Sequence, residues 1–142
     1  QDFASLLKAA GIGIRGAVEP LKGQSSGSAY SWQTDSLYGS AEQRSMPNRE
    51  NFEPSVQQYV ARAKSRCTGE FAAVPAQIRL IGANMAEGYE IACVNGQSGS
   101  SASVLFSYRN GVLTTIAHEG RAEAMDIAMD ARDKIAAKII TN

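Results

Sequence analysis

One histidine, one tryptophan, two cysteines and four prolines in 142 residues leave few resources for several kinds of chemistry. His118 stands alone, and Cys67 and Cys93 have neither a CxxC spacing nor a second pair of soft ligands, so a zinc centre is not indicated and no metal ligand is assigned. No apolar run approaches the roughly 20 residues that a membrane-spanning helix needs. There is no excess of either charge, with 14 Lys and Arg against 14 Asp and Glu. The balance also holds within residues 1–52, 53–119 and 120–142. Phosphate backbones select proteins that concentrate positive charge on an arm or stripe, so no nucleic-acid partner is expected. A polybasic membrane-surface patch is missing for the same reason. Paired-carboxylate, phosphate-loop and nucleophile motifs are absent, so no catalytic residue and no cofactor is expected.

What remains is an ordinary globular balance, 44% hydrophobic and 20% charged. A chain of this length can bury about 70% of its extended surface and so can hold its own core. Phe3, Leu6, Leu7 and Ala10 lie at helical spacing. From Gly11 to Asn51 the periodicity fades into a stretch rich in Ser, Gly, Gln and Asn, with Pro20 and Pro47 as breakers. Residues 1–50 therefore read as a short helix followed by a long irregular arm, and residues 51–142 as the globular domain. In that domain Asn51-Phe52-Glu53-Pro54 opens a helix, since proline suits a first turn. Phe52, Val56, Tyr59, Val60 and Ala63 form its apolar stripe. Arg62, Lys64 and Arg66 suit its C-terminal dipole, and Thr68-Gly69 ends it.

Strands are expected at 70–74, 88–94, 102–109 and 112–118, with a fifth possible between Ile78 and Ile81. A C-terminal helix follows Gly120, with Ala122, Met125, Ala128, Met129, Ile135 and Ile139 along one face. Asn110-Gly111 is a strong two-residue hairpin signal and fixes a register. Arg109 then faces Val112, Phe106 faces Thr115, and Ser103 faces His118. Val104, Phe106, Tyr108 and Leu113 share one face, the expected core beneath the helices. Ser103, Leu105, Ser107, Thr114, Ile116 and His118 share the other, which is more polar and expected to be wetter.

Five groups could carry function. If the strands beginning at 70 and ending at 94 are antiparallel neighbours, Cys67 and Cys93 fall within disulfide reach, which implies an oxidising compartment, periplasmic or extracellular. The start at Gln1 fits an exported chain after leader removal, and equally a trimmed one. Gly11-Ile12-Gly13-Ile14-Arg15-Gly16 matches a dinucleotide fingerprint in letters, but a helix precedes it where a strand is required. His118 opposite Ser103 could be a base–nucleophile pair. Asp126, Asp130 and Asp133 share a helix face but are interleaved with Arg132, Lys134 and Lys138, as on a solvated surface. Tyr30, Trp32, Leu37 and Tyr38 punctuate the polar arm as partner-binding anchors would.

The reading is an α+β fold: an antiparallel sheet of four or five strands, the middle and C-terminal helices on one face, and a long N-terminal arm. The expected function is an exported, non-enzymatic protein-binding or assembly accessory protein, acting through the arm or the uncovered sheet face. Alternatives are a carbohydrate or cell-envelope ligand-binding module, and a small hydrolase using His118.

Overall fold

A computed structural model describes residues 2–21, 27–76, 78 and 84–141. Its centre is one antiparallel sheet of seven strands in the order β1-β2-β3-β7-β6-β5-β4. The strands are β1 (Arg15–Pro20), β2 (Gly27–Gln33), β3 (Tyr38–Ser45), β4 (Glu70–Ala76), β5 (Met85–Asn95), β6 (Ser98–Arg109) and β7 (Val112–Arg121). Three helices accompany them: α1 (Phe3–Ala9), α2 (Phe52–Arg66) and α3 (Met125–Thr141).

The β6–β7 hairpin has the register that its turn dictates, including Phe106 opposite Thr115 and Ser103 opposite His118. Asn110 and Gly111 both take positive φ (52° and 75°), as a tight turn that follows strand twist requires. α1 is capped by Asp2, whose carboxylate accepts from the backbone and hydroxyl of Ser5. The Gly11–Gly16 segment leaves that helix and enters a strand, the reverse of a dinucleotide-binding turn.

The irregular arm expected over residues 1–50 is corrected. The chain there forms α1 and three strands, and β3 pairs with β7 along its whole length. β2 and β3 escaped notice because they are built mainly from Ser, Gly, Ala and Gln and hold no β-branched residue. Their period-2 pattern rests on Tyr30 and Trp32 alone. Two of the four prolines, Pro20 and Pro75, lie in the outermost strands β1 and β4. A strand there needs no donor on its outer side, so proline is tolerated and blunts the open edge. The strand considered between Ile78 and Ile81 lies, apart from Ile78, outside the described residues.

The placement of both helices on one face is corrected as well. Phe52 and Val56 of α2 pack with Val104, Phe106, Tyr108 and Leu113. Ile135 and Ala136 of α3, with Phe3, Leu6 and Leu7 of α1, pack with Leu105, Ile116 and Trp32. Leu105 and Phe106 are adjacent in one strand and point to opposite sides, so the sheet is a middle layer covered on both faces. The serines of β6 misled the reading of polarity. Ser101, Ser103 and Ser107 are buried where α3 lies close, and that helix turns Ala128, Ala131 and Ala136 inward, with Ala124 buried just before it. Small side chains on both partners let the helix settle on the sheet.

Cys67 and Cys93 form a disulfide with their Cα atoms 5.8 Å apart. It ties the residue capping α2 to β5, opposite Phe71 of β4. The bridge is compatible with an oxidising compartment. No described helix is long and apolar enough to cross a membrane.

Because both faces of β6 are covered, Phe106→Ala and Leu105→Ala should each lower stability by about 2–5 kcal/mol. Urea unfolding of the two variants checks this. A cost below about 1 kcal/mol for Leu105→Ala would mean that α3 does not cover that face.

Candidate functional site

The strand registers set five residues in one line across the sheet: Glu90 (β5), Ser103 (β6), His118 (β7), Gly39 (β3) and Trp32 (β2). All five lie on the α1/α3 side, and Ser103, His118 and Trp32 are almost wholly buried. Gly39 is what lets the row close. The Trp32 indole lies over it, and a Cβ at that position would overlap the ring. Trp32 Nε1–H donates across the gap to His118 Nε2 at 3.1 Å, and the two rings meet edge to face with centroids 5.5 Å apart.

This bond determines the state of the imidazole. A neutral histidine has one donor and one acceptor nitrogen, and Nε2 is the acceptor, so the proton sits on Nδ1. Burial pushes the pKa of His118 down to about 4, so the ring is neutral at physiological pH. Among the described residues neither Nδ1 nor the hydroxyl of Ser103 has a hydrogen-bond partner; both are buried, on neighbouring strands in direct register. In this tautomer Nδ1 is a donor, and the Nε2 lone pair is engaged by the Trp32 indole. The expectation of a wet-face histidine is corrected.

At the other end of the row Arg132 reaches down from α3, buried to 5% exposure, and forms an ion pair with Glu90. Its guanidinium also donates to Asp133 at 2.9 Å. Gly88 leaves room for the Arg132 stem, whose Cδ lies 3.3 Å from where a Cβ would stand. Asp130 pairs with Lys134 at 2.9 Å, one turn on. Among the described residues no group of three or more His, Cys, Asp or Glu side chains could hold a metal ion.

The four residues read as partner anchors do not form one surface. Trp32 is in the row just described, and Leu37 is buried against Ala124, Ala128 and Ala131. Tyr30 is half-buried beside Phe3, with ring centroids 5.3 Å apart. Tyr38 is exposed, on the other side of the sheet, opposite Gln33 and Glu119.

That other side holds the open part of the molecule. The described apolar partners of α2 lie on β4 to β7 and at Met46. Tyr38, Ser40 and Glu42 of β3, with Gln33 and Ser31 of β2, are left as a polar platform beside the helix. A cleft of about 270 Å³ runs between α2 and this platform. Tyr59, Arg62 and Arg66 form its helix wall, and Ser40, Glu42 and Thr115 belong to its floor. A second hollow of about 190 Å³ shares Tyr59 and Arg66 and is lined by Ala63, Phe71, Ile91 and Glu119 near the disulfide. Burial raises the Tyr59 pKa, and the charges of Glu119, Arg66, Glu42 and Arg62 all act on the same phenol. Tyr59, Arg62 and Arg66 share a helix face at i, i+3 and i+7, a signal present in the sequence. Their floor was hidden because the register of β3 was not read.

At the opposite end of α2, Glu53 and Glu87 form a hydrogen-bonded carboxyl pair. Burial, then this bond and the Glu53 charge, raises the Glu87 pKa from 4.5 to about 7. Gln57 Nε2 donates to Glu53 at 2.9 Å and lies 3.1 Å from the Tyr89 hydroxyl.

Two pH dependences follow, of opposite sign. The lowered pKa of His118 gives stability that is fully present above about pH 6.5 and lost as pH falls towards 4. Nitrogen-15 NMR should show an Nδ1–H tautomer that persists below about pH 5, and an Nε2–H form would overturn the assignment. The raised pKa of Glu87 gives stability present below 4.5 and lost as pH rises through about 7. Glu87→Gln should therefore raise the thermal midpoint at about pH 8 and add nothing at about pH 5. An equal gain at both values would count against a shared proton. Gly39→Ala, which removes the space for the indole, should cost about 3 kcal/mol or more in the same melts.

No protein-family model matches the chain, and no curated protein matches it.

Proposed function

We propose that this chain is an exported, non-enzymatic protein that binds a protein partner, as an accessory or assembly subunit, through the open half of its sheet. One observation carries the reading: the platform of Ser31, Gln33, Tyr38, Ser40 and Glu42, which α2 leaves uncovered. An exposed tyrosine among short polar side chains offers a rigid contact surface at low entropic cost. The Cys67–Cys93 bridge supports a periplasmic or extracellular location. The balanced charge offers no footprint for nucleic acid.

A carbohydrate-binding reading has one observation in its favour. On the α3 side, a hollow of about 250 Å³ is lined by Ser107, Thr114, Gln43 and Asn110, with Val112 and Ile139 as its apolar part. Hydroxyl and amide groups beside a small apolar wall suit a sugar ring.

Capture of partners from native extract by the intact, disulfide-bonded protein tests the first reading. Tyr38→Asp combined with Ser31→Arg should reduce capture at least tenfold. Ile127→Asp, on the exposed side of α3, should leave it unchanged. Capture that survives the platform variant, or is lost equally in the Ile127 control, would overturn it. Binding on a glycan array that is lost in Thr114→Val, with capture absent throughout, would favour the second reading.

A further inference from the structure

The cleft beside α2 has features that the platform does not. Arg62 and Arg66 line its helix wall and Glu42 of β3 its floor, while Glu119 of β7 lines the adjoining hollow. Among the described residues no ion pair within 4 Å joins either arginine to either glutamate. Glu42 and the two arginines thus line an open space of about 270 Å³ without pairing. Tyr59 stands between them, and all four charges act on its phenol. The hydroxyls of Ser40 and Thr115 add neutral donors and acceptors to the floor. The adjoining hollow has an apolar wall of Ala63, Phe71, Ile91 and Ala102, with Glu119, Ser100 and Ser101 as its polar part. Tyr59 and Arg66 border both spaces.

We infer that this cleft is a binding site for a small zwitterion with an apolar tail, of the class of hydrophobic α-amino acids. The carboxylate goes to the guanidinium groups of Arg62 and Arg66, which match it in planar, charge-assisted hydrogen bonds. The ammonium goes to Glu42, across the floor. The side chain passes Tyr59 into the hollow walled by Ala63, Phe71 and Ile91, where its burial adds the hydrophobic part of the affinity. A simple anion would leave Glu42 and Glu119 facing its charge, and a simple cation would meet two arginines. A ligand carrying both charges satisfies both walls. The size agrees: the space is at the small end of ligand pockets, below what a drug-sized molecule fills. This site shares Ser40 and Glu42 with the platform, but Tyr38 and Ser31, the positions varied to test partner capture, do not line the cleft, so failure of one reading is distinguishable from failure of the other.

The test uses the intact disulfide-bonded protein, labelled with nitrogen-15, and four probes: L-leucine, N-acetyl-L-leucine, L-leucinamide and glycine. These lack, in turn, nothing, the ammonium, the carboxylate and the apolar tail. L-Leucine should give saturable shifts at Tyr59, Ala63, Thr115 and Ala117 at concentrations up to about 10 mM. Each of the other three should bind at least tenfold more weakly. Arg66→Gln and Glu42→Gln, both at exposed positions, should each weaken L-leucine at least tenfold with an unchanged thermal midpoint. No saturable shift with L-leucine, or less than a tenfold loss for any analogue, would overturn the proposal. Because the analogue series is measured on the unaltered protein, its outcome does not depend on how the variants fold.

Discussion

Trp32 reaches His118 across a glycine, and the rest of the molecule is arranged around that contact. The indole needs the space above Gly39, the imidazole needs a donor in a place without water, and both need cover from α1 and α3. The contact joins β2 to β7 over the intervening β3 and locks the N-terminal hairpin onto the long central one. Loss of any member leaves a polar atom buried without a partner, at a cost of about 1–3 kcal/mol. α1, β2 and β3 therefore contribute to the core through Phe3, Leu6, Leu7, Trp32 and Ala41.

The two faces of the sheet are packed by different rules. On the α2 side large residues interlock, with Tyr59 and Tyr89 edge-on to Phe106. On the α3 side serines of β6 meet alanines of the helix beside a cluster of Leu105, Ile116, Ile135 and Trp32, and Arg132 folds down to Glu90. The second kind of packing buries less apolar surface for each residue. It brings a helix and a sheet close enough for polar groups to be enclosed, which is how a histidine comes to be buried and neutral.

How much of this was legible follows from the same distinction. α2, the Asn110-Gly111 hairpin and the Cys67–Cys93 bridge could be read because each rests on a local signal: an apolar stripe, a turn dipeptide, or two cysteines at matching strand ends. The alternation of β6 was also read correctly. What it faced was not, because Ser101, Ser103 and Ser107 are polar in composition and buried in fact. β2 and β3 lack β-branched residues, and their membership of the sheet depends on pairing with β7, a partner some 75 residues away. Tyr30, Trp32, Leu37 and Tyr38 were noticed as aromatic and apolar residues in a polar stretch. Their division between two faces required a register that no local pattern supplied. The cleft escaped for a related reason: its helix wall follows a helical spacing, but its floor exists only once β3 is placed.

The disulfide has a consequence for the fate of the chain. Cys67 and Cys93 enclose all of β4, the outermost strand on its side, together with the connection that leads into β5. A protease that cuts anywhere within that loop makes two polypeptides but releases neither. The nicked molecule gains only the water of hydrolysis, and β4 stays tethered beside the edge from which it came, at an effective concentration far above that of a free peptide. Under reduction the same cut would let the two pieces separate. In an oxidising environment crowded with proteases, one covalent bond thus turns a break at the sheet's margin into a wound that can close.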